Sequence, residues 1–193
     1  VEFLRSNHPQ FIYTSYSYEI QKADLHIQFS FSIPPGIRFT PTLIIHGVTQ
    51  QDIDRVGVEV LHTLVFNLGM IELLSYWKTT ASPEIIVKAG SLNAQQIKWW
   101  KNLLLKGMGQ YFYENKIDYT NPYFIAIKAE QEKSPIHTEK LQDRFLIPIG
   151  GGKDAIVTLE LLKKAKVPMR PFILNPKKEQ LGILKLAKAQ KPI

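Results

Sequence analysis

The chain has 193 residues, 45% of them hydrophobic and 21% charged, enough for one large core or two small ones. The absence of cysteine excludes disulfides and thiolate catalysis within it. No run of eighteen apolar residues occurs, so no membrane span is expected, and the formal charge of +7 raises the question of an anionic partner.

In chain order, Phe11, Tyr13, Tyr16 and Tyr18 alternate with polar neighbours, with a phase slip at Thr14-Ser15 that predicts a bulged strand. Gln21 to Asp24 makes a turn, and Leu25, Ile27, Phe29, Phe31 and Ile33 form the second strand of an antiparallel hairpin, ended by Pro34-Pro35-Gly36. Leu43 to Ile45 reads as a third strand. Thr49 and Asp52 offer caps for a helix with an apolar stripe of Ile53, Val56, Val60, Leu61 and Leu64, and Asn67-Leu68-Gly69 is expected to kink it before a second helical run to Trp77. Ser82-Pro83 breaks that run. Strand Glu84–Lys88, a helix from Asn93 carrying Ile97, Trp100, Leu103, Leu104 and Met108, and strand Tyr123–Ile127 follow. The polar stretch Glu130 to Asp143 is the best linker candidate. The expected organisation is therefore an α+β domain with an antiparallel, aromatic-rich sheet over residues 1–140, linker from about 130, and the beginning of an α/β, parallel-sheet domain over 141–193.

That second part holds the most telling motif. The apolar strand 145–149 runs through Gly150, Gly151 and Gly152 into a helix over 153–165, then strand 170–174 and helix 177–190. Three glycines between a strand and a helix let backbone N–H groups approach an anion, and the helix adds the positive end of its dipole. A Walker A loop would need glycine where Ile147 stands and Ser or Thr where Asp154 stands. A dinucleotide fingerprint matches Gly150, Gly152 and Ala155 but lacks an acid at the end of the next strand, where Leu174-Asn175-Pro176 stands. The loop resembles the PP-loop of ATP pyrophosphatases, with Gly151, Gly152 and Asp154 at matching positions, while Gly150 and Ala155 replace two serines. Lys153 can supply compensating charge. The competing reading is a turn that binds nothing.

Basic residues concentrate beside this loop: residues 161–193 carry nine Lys or Arg against Glu179 alone, and the remaining 160 residues sum to −1. Such a face suits polyphosphate or an acidic substrate, whereas RNA is disfavoured because only Phe172 is interleaved for stacking on bases. Two strands and two helices bury too little for a doubly wound domain. The expectation is a parallel sheet continued in further sequence or completed by the first domain, the alternative being a small nucleotide subdomain complete as it stands. Val1 in place of Met suggests a trimmed start, and with no secretory leader in view the expected location is cytoplasmic.

The aromatic hairpin, the stretch Asn67-Leu-Gly-Met-Ile-Glu-Leu-Leu-Ser-Tyr-Trp-Lys78 with Ser82-Pro83-Glu84, and the Gly-Gly-Gly-Lys-Asp loop together resemble the bacterial UDP-N-acetylmuramoyl-L-alanyl-L-glutamate epimerase family, over most of this chain as the front of a longer protein. The resemblance implies an ATP- and Mg²⁺-dependent enzyme that inverts the terminal glutamate of a peptidoglycan precursor, a small nucleotide-sugar dipeptide, leaving AMP and pyrophosphate. It implies nucleotide contacts at Gly150, Gly151, Gly152, Lys153 and Asp154, with Asp154 holding the metal. Candidates for catalysis are Glu72, Tyr76 and Lys78 on the helix, the first two four residues apart on one face, together with Lys153. Their plainer reading is the polar face of a surface helix. His46 and His62 read as structural, no His pair has zinc-ligand spacing, and no serine-hydrolase elbow occurs. A tRNA-adenylating enzyme and a non-catalytic nucleotide-binding protein remain as alternatives. The sequence carries no signal for oligomeric state.

Overall fold

The computed structural model describes residues 1–130, 143–190 and 192. The chain divides into two compact units, Val1–His137 and Thr138–Ile193. The linker expected over 130–143 lies almost wholly outside the described residues.

Unit one contains α1 (Glu2–Asn7), β1 (Gln10–Gln21), β2 (Asp24–Ile33), β3 (Ile37–Phe39), β4 (Thr42–His46), α2 (Gln50–Val56), α3 (Val58–Trp77), β5 (Glu84–Ser91), α4 (Ala94–Gly107), α5 (Gly109–Glu114) and β6 (Ala126–Glu130). The β1–β2 hairpin forms as its alternation predicts, and its register shifts between Tyr13 and Ser15, where the phase slip was. That bulge keeps Tyr16 opposite Phe29 and Tyr18 opposite Ile27, so the aromatic rings before and after it share one face. Strand β2 outlasts each partner on its outer edge: Phe31–Ile33 pair with β3 and Asp24–Gln28 with β4, both antiparallel.

The sheet is mixed rather than antiparallel as expected. Strand β5 pairs parallel with β1, Gln10 to Tyr13 lying beside Glu84 to Val87, and β6 pairs parallel with β5. The reason is the connections. Helix α3 carries the chain back before β5 begins, and α4 with α5 does so before β6, so both strands enter from the end at which β1 enters.

The core lies where Phe11, Tyr13, Phe29 and Phe31 of the sheet meet Val65, Phe66, Met70, Leu73 and Trp77 of α3. The alternate residues of β2, His26, Gln28, Ser30 and Ser32, are not buried, so the hydrophobic period assigns one face of the strand to the core. The helical break falls at Gly57, not at Asn67-Leu68-Gly69. Gly57 has φ +90°, which a side chain resists, and it separates α2 from α3, which then runs unbroken to Trp77. Gly69 serves packing instead: a Cβ there would overlap the Tyr13 hydroxyl and stand 2.9 Å from Phe29 Cδ1, so its absence lets the helix lie close on the sheet. The capping signal of Thr49 with Asp52 is realised on α2, and Asn93 with Gln96 makes the same exchange of side-chain and backbone hydrogen bonds at the start of α4.

Beyond α3, the chain makes a buried turn. The Trp77 indole donates to the Ser82 carbonyl at 2.8 Å, the Thr80 and Ser82 hydroxyls pair at 2.8 Å, and the Arg5 guanidinium donates to the carbonyls of Ala81 and Phe124. Arg5 also lies 4.2 Å over the Phe124 ring, and burial lowers its pKa from the ordinary value. Helix α1, for which the sequence carried no expectation, thus presents Arg5 to the carbonyls of Ala81 and Phe124.

Unit two contains β7 (Phe145–Pro148), α6 (Lys153–Lys164), β8 (Met169–Phe172) and α7 (Lys178–Leu186). Its strands pair parallel, from Phe145 beside Met169 to Pro148 beside Phe172, as the crossover requires. Ile147, Ile149, Leu159, Ile173 and Leu184 form its small core.

Candidate functional site: the glycine loop and the helical cluster

The glycine loop leaves β7 through Ile149, whose N–H donates to the Phe172 carbonyl at 2.9 Å. Gly151 takes φ +88°, and a Cβ there would lie 3.3 Å from Gln180 Cγ. Gly150 and Gly152 face open space, with no heavy atom within 4 Å of a built Cβ. Gly152 is the N-cap of α6 and brings no capping side chain, so the first-turn N–H groups lack a side-chain acceptor. This geometry fits an anion: an open approach, uncapped donors and the positive end of a twelve-residue helix.

Lys153 and Asp154 occupy the first turn of α6, both exposed. Neither side chain has a hydrogen-bond or ion-pair partner among the described residues. Asp154 is the one acidic residue in that first turn. No cluster of three or more metal-ligating side chains exists among the described residues.

The residue that sequence reasoning missed here is Gln180. Its Nε2 donates to the Ile149 carbonyl at 3.3 Å and its Oε1 accepts from the Lys177 N–H at 2.8 Å. One side chain thereby ties the first turn of α7, with Lys177 and Lys178, to the root of the glycine loop. A glutamine three residues into a helix is a visible capping signal, but its reach to another strand is not.

In unit one, Glu72 and Tyr76 do share a face of α3. The Tyr76 ring packs on Phe39 at 4.9 Å and Phe31 at 5.6 Å between centroids, and its pKa is raised first by burial and then by the charge of Glu72. Lys78 does not join them. It follows the helix end, about 200° around the axis from Tyr76, exposed, and its carbonyl accepts the Tyr111 hydroxyl at 2.8 Å. Glu84 bridges strands, accepting from Gln10 at 3.2 Å and pairing with Lys128, which holds its carboxyl below the ordinary range.

The histidines take surface positions. His46 pairs with Asp24 at 3.0 Å, and His62 stands between two hydroxyls, Tyr16 at 3.0 Å from Nδ1 and Tyr18 at 3.3 Å from Nε2. Helix α3 is the one helix among the described residues long and apolar enough to cross a membrane, and its inner face is committed to the sheet through Leu61, Val65, Phe66, Met70 and Leu73.

Comparison with known proteins agrees with the resemblance carried by these motifs. A protein named UDP-N-acetyl-alpha-D-muramoyl-L-alanyl-L-glutamate epimerase from Salinispora tropica is 26% identical over 167 residues, covering 86% of this chain and 36% of its own length. One of the same name from a Micromonospora species is 26% identical over 171 residues, covering 86% and 37%. A third, from Xanthomonas oryzae pv. oryzae, is 29% identical over 100 residues, or 52% of this chain and 22% of its own. The chain thus spans about a third of the length of the first two relatives. No solved structure matches. The family model described as the MurL N-terminal domain matches residues 2–191, across both units and the glycine loop that was expected to open a separate nucleotide domain. The chain belongs to the MurL N-terminal domain family.

Proposed function

We propose that this chain is part of an ATP- and Mg²⁺-dependent epimerase that inverts the terminal L-glutamate of UDP-N-acetylmuramoyl-L-alanyl-L-glutamate, in the synthesis of a peptidoglycan precursor. The relatives' shared name supports the substrate and the reaction class. The observation that carries the energy source is the open, uncapped glycine turn of Gly150, Gly151 and Gly152 feeding α6 with Lys153 and Asp154 in its first turn.

The chemistry explains why such a loop belongs to an epimerase. An ionised carboxylate resists loss of its α-proton, because removal builds a second negative charge on the same group. Joining that carboxylate to AMP removes the charge and makes proton abstraction accessible. The loop N–H groups would hold the departing pyrophosphate, Lys153 would balance its charge, and Asp154 would hold Mg²⁺ directly or through water. Glu72 and Tyr76, which share a face of α3, are proposed as substrate-side groups, Lys78 being proposed only as an anion contact.

The complete enzyme tests this reading. Incubated with ATP, Mg²⁺ and the nucleotide-sugar dipeptide, it should form AMP and pyrophosphate only when the dipeptide is present, and the recovered glutamate should be inverted. Formation of ADP, or AMP without inversion, would refute it. The basic segment 161–193 favours a second reading, adenylation of tRNA at the same loop, which a tRNA affinity falling steeply with salt would support.

A further inference from the structure

Unit one presents a groove of about 700 Å³ bounded by α2, α3, α4 and strands β2 and β4. Its wall is an outward row on α3, Leu64, Leu68 and Ile71, spaced four and three residues apart and 54%, 37% and 49% exposed. Trp99 of α4 stands at 55% exposure on the same groove. Helix α3 is therefore apolar both where it meets the sheet and where it faces away from it.

Two polar side chains of the groove, those of Asp52 and Asn67, are bonded within their own helices or at their caps. Asp52 accepts the Thr49 N–H and hydroxyl and pairs with Arg55, Asn67 donates to the Thr63 carbonyl, and Gln96 accepts the Asn93 N–H. A small polar ligand would lose hydration here with little to replace it. An apolar protein surface would not.

We infer that this groove is the seat of an apolar element from the remaining two thirds of the same polypeptide, the part that the relatives possess and this chain does not span. A segment tethered to this domain reaches an effective concentration of order millimolar, so one helical row and one tryptophan suffice. A free partner or a second copy would need roughly 1,200 Å² of buried surface for stable association. The inference is independent of the ATP and epimerase readings.

The test uses the full-length protein carrying Leu64→Cys, with iodoacetamide labelling mapped by peptide mass spectrometry. In native protein that thiol should react more than about tenfold slower than in urea, independently of protein concentration and of added substrate, as expected of a closed contact. Adding Leu68→Asp should restore fast labelling while far-UV circular dichroism stays native. Labelling within about tenfold of the unfolded rate would show an open groove and overturn the inference. So would protection that appears only at high protein concentration, only with substrate, or only after lipid vesicles are added, these marking a second copy, a ligand or a membrane respectively.

Discussion

Replacing Gly69 by alanine sets two effects of opposite sign against each other. In an exposed helix, Gly→Ala stabilises by about 1 kcal/mol through backbone entropy. Gly69 is buried, and the new Cβ would overlap the Tyr13 hydroxyl, come within 2.5 Å of Tyr13 Cζ and 2.9 Å of Phe29 Cδ1. The Tyr13 ring is fully buried, stacked on Phe66 at 5.9 Å and 5° and set against Phe31 at 5.1 Å, so it has no room to swing aside. Overpacking of this kind costs at the upper end of the usual range, about 3 kcal/mol, which leaves a net loss of about 2 kcal/mol. The Tyr13 hydroxyl is also buried without a hydrogen-bond partner, and burial pushes its pKa far above the ordinary value. Tyr13→Phe should therefore stabilise by about 1 kcal/mol, and in that background Gly69→Ala should cost at least about 1 kcal/mol less than alone. Denaturant unfolding followed by tryptophan emission is the assay, because Trp77, Trp99 and Trp100 all lie in unit one. A Gly69→Ala variant as stable as the parent, or strict additivity of the two changes, would refute the close-packing argument.

Other expectations follow from the same structure. Arg5→Ala leaves the Ala81 and Phe124 carbonyls without their donor and should destabilise unit one by about 2 kcal/mol in the same unfolding assay, whereas a loss near zero would mean that water replaces the guanidinium. Thr49→Ala removes the cap of α2 and should cost about 1 kcal/mol, read as a shift of the denaturation midpoint with unchanged slope. The carboxyls of Asp24, Asp52, Asp118 and Glu84 are held below their ordinary values of 3.8 for Asp and 4.5 for Glu by bonds to His46, Thr49, Thr120 and Lys128 respectively. Because the folded pKa values are the lower ones, these groups stabilise the fold above those ordinary values, and the contribution is lost as pH falls through the folded ones. Thermal midpoints should thus hold down to about pH 5 and drop below about pH 4, with a shallower drop for Asp52→Asn; a midpoint unchanged in acid would contradict the assignment. In the complete enzyme, Asp154→Asn should reduce AMP formation at least tenfold if it holds the metal, by about 1.4 kcal/mol or more in barrier, and unchanged ATP binding and turnover would leave the loop structural.

The elements that local chemistry dictates were legible in the sequence. Alternating aromatic and β-branched residues drew the β1–β2 hairpin, the phase slip marked its bulge, and Thr49–Asp52 and Asn93 marked two helix starts. The glycine run and the helix after it placed the loop before any coordinates did. Other features were not legible. Strand direction in β5 and β6 depends on which end of the sheet a helix returns the chain to, and hydrophobic period is the same for either direction. Gly69 looked like a helix breaker because its partner, Tyr13, is 56 residues away in sequence. Gln180 was missed because its bond to the strand end beneath the glycine loop joins residues 31 apart in the chain.

The sequence by itself determined the β1–β2 hairpin with its bulge, the glycine turn between β7 and α6, and the family resemblance, since each rests on residues close enough along the chain to interact through local geometry. Tertiary structure alone decided that the sheet is mixed, that the Tyr76 ring packs on Phe31 and Phe39, and that α3 keeps an apolar face beyond the one it buries. Those outcomes depend on which distant surfaces meet, and no local pattern encodes the partner.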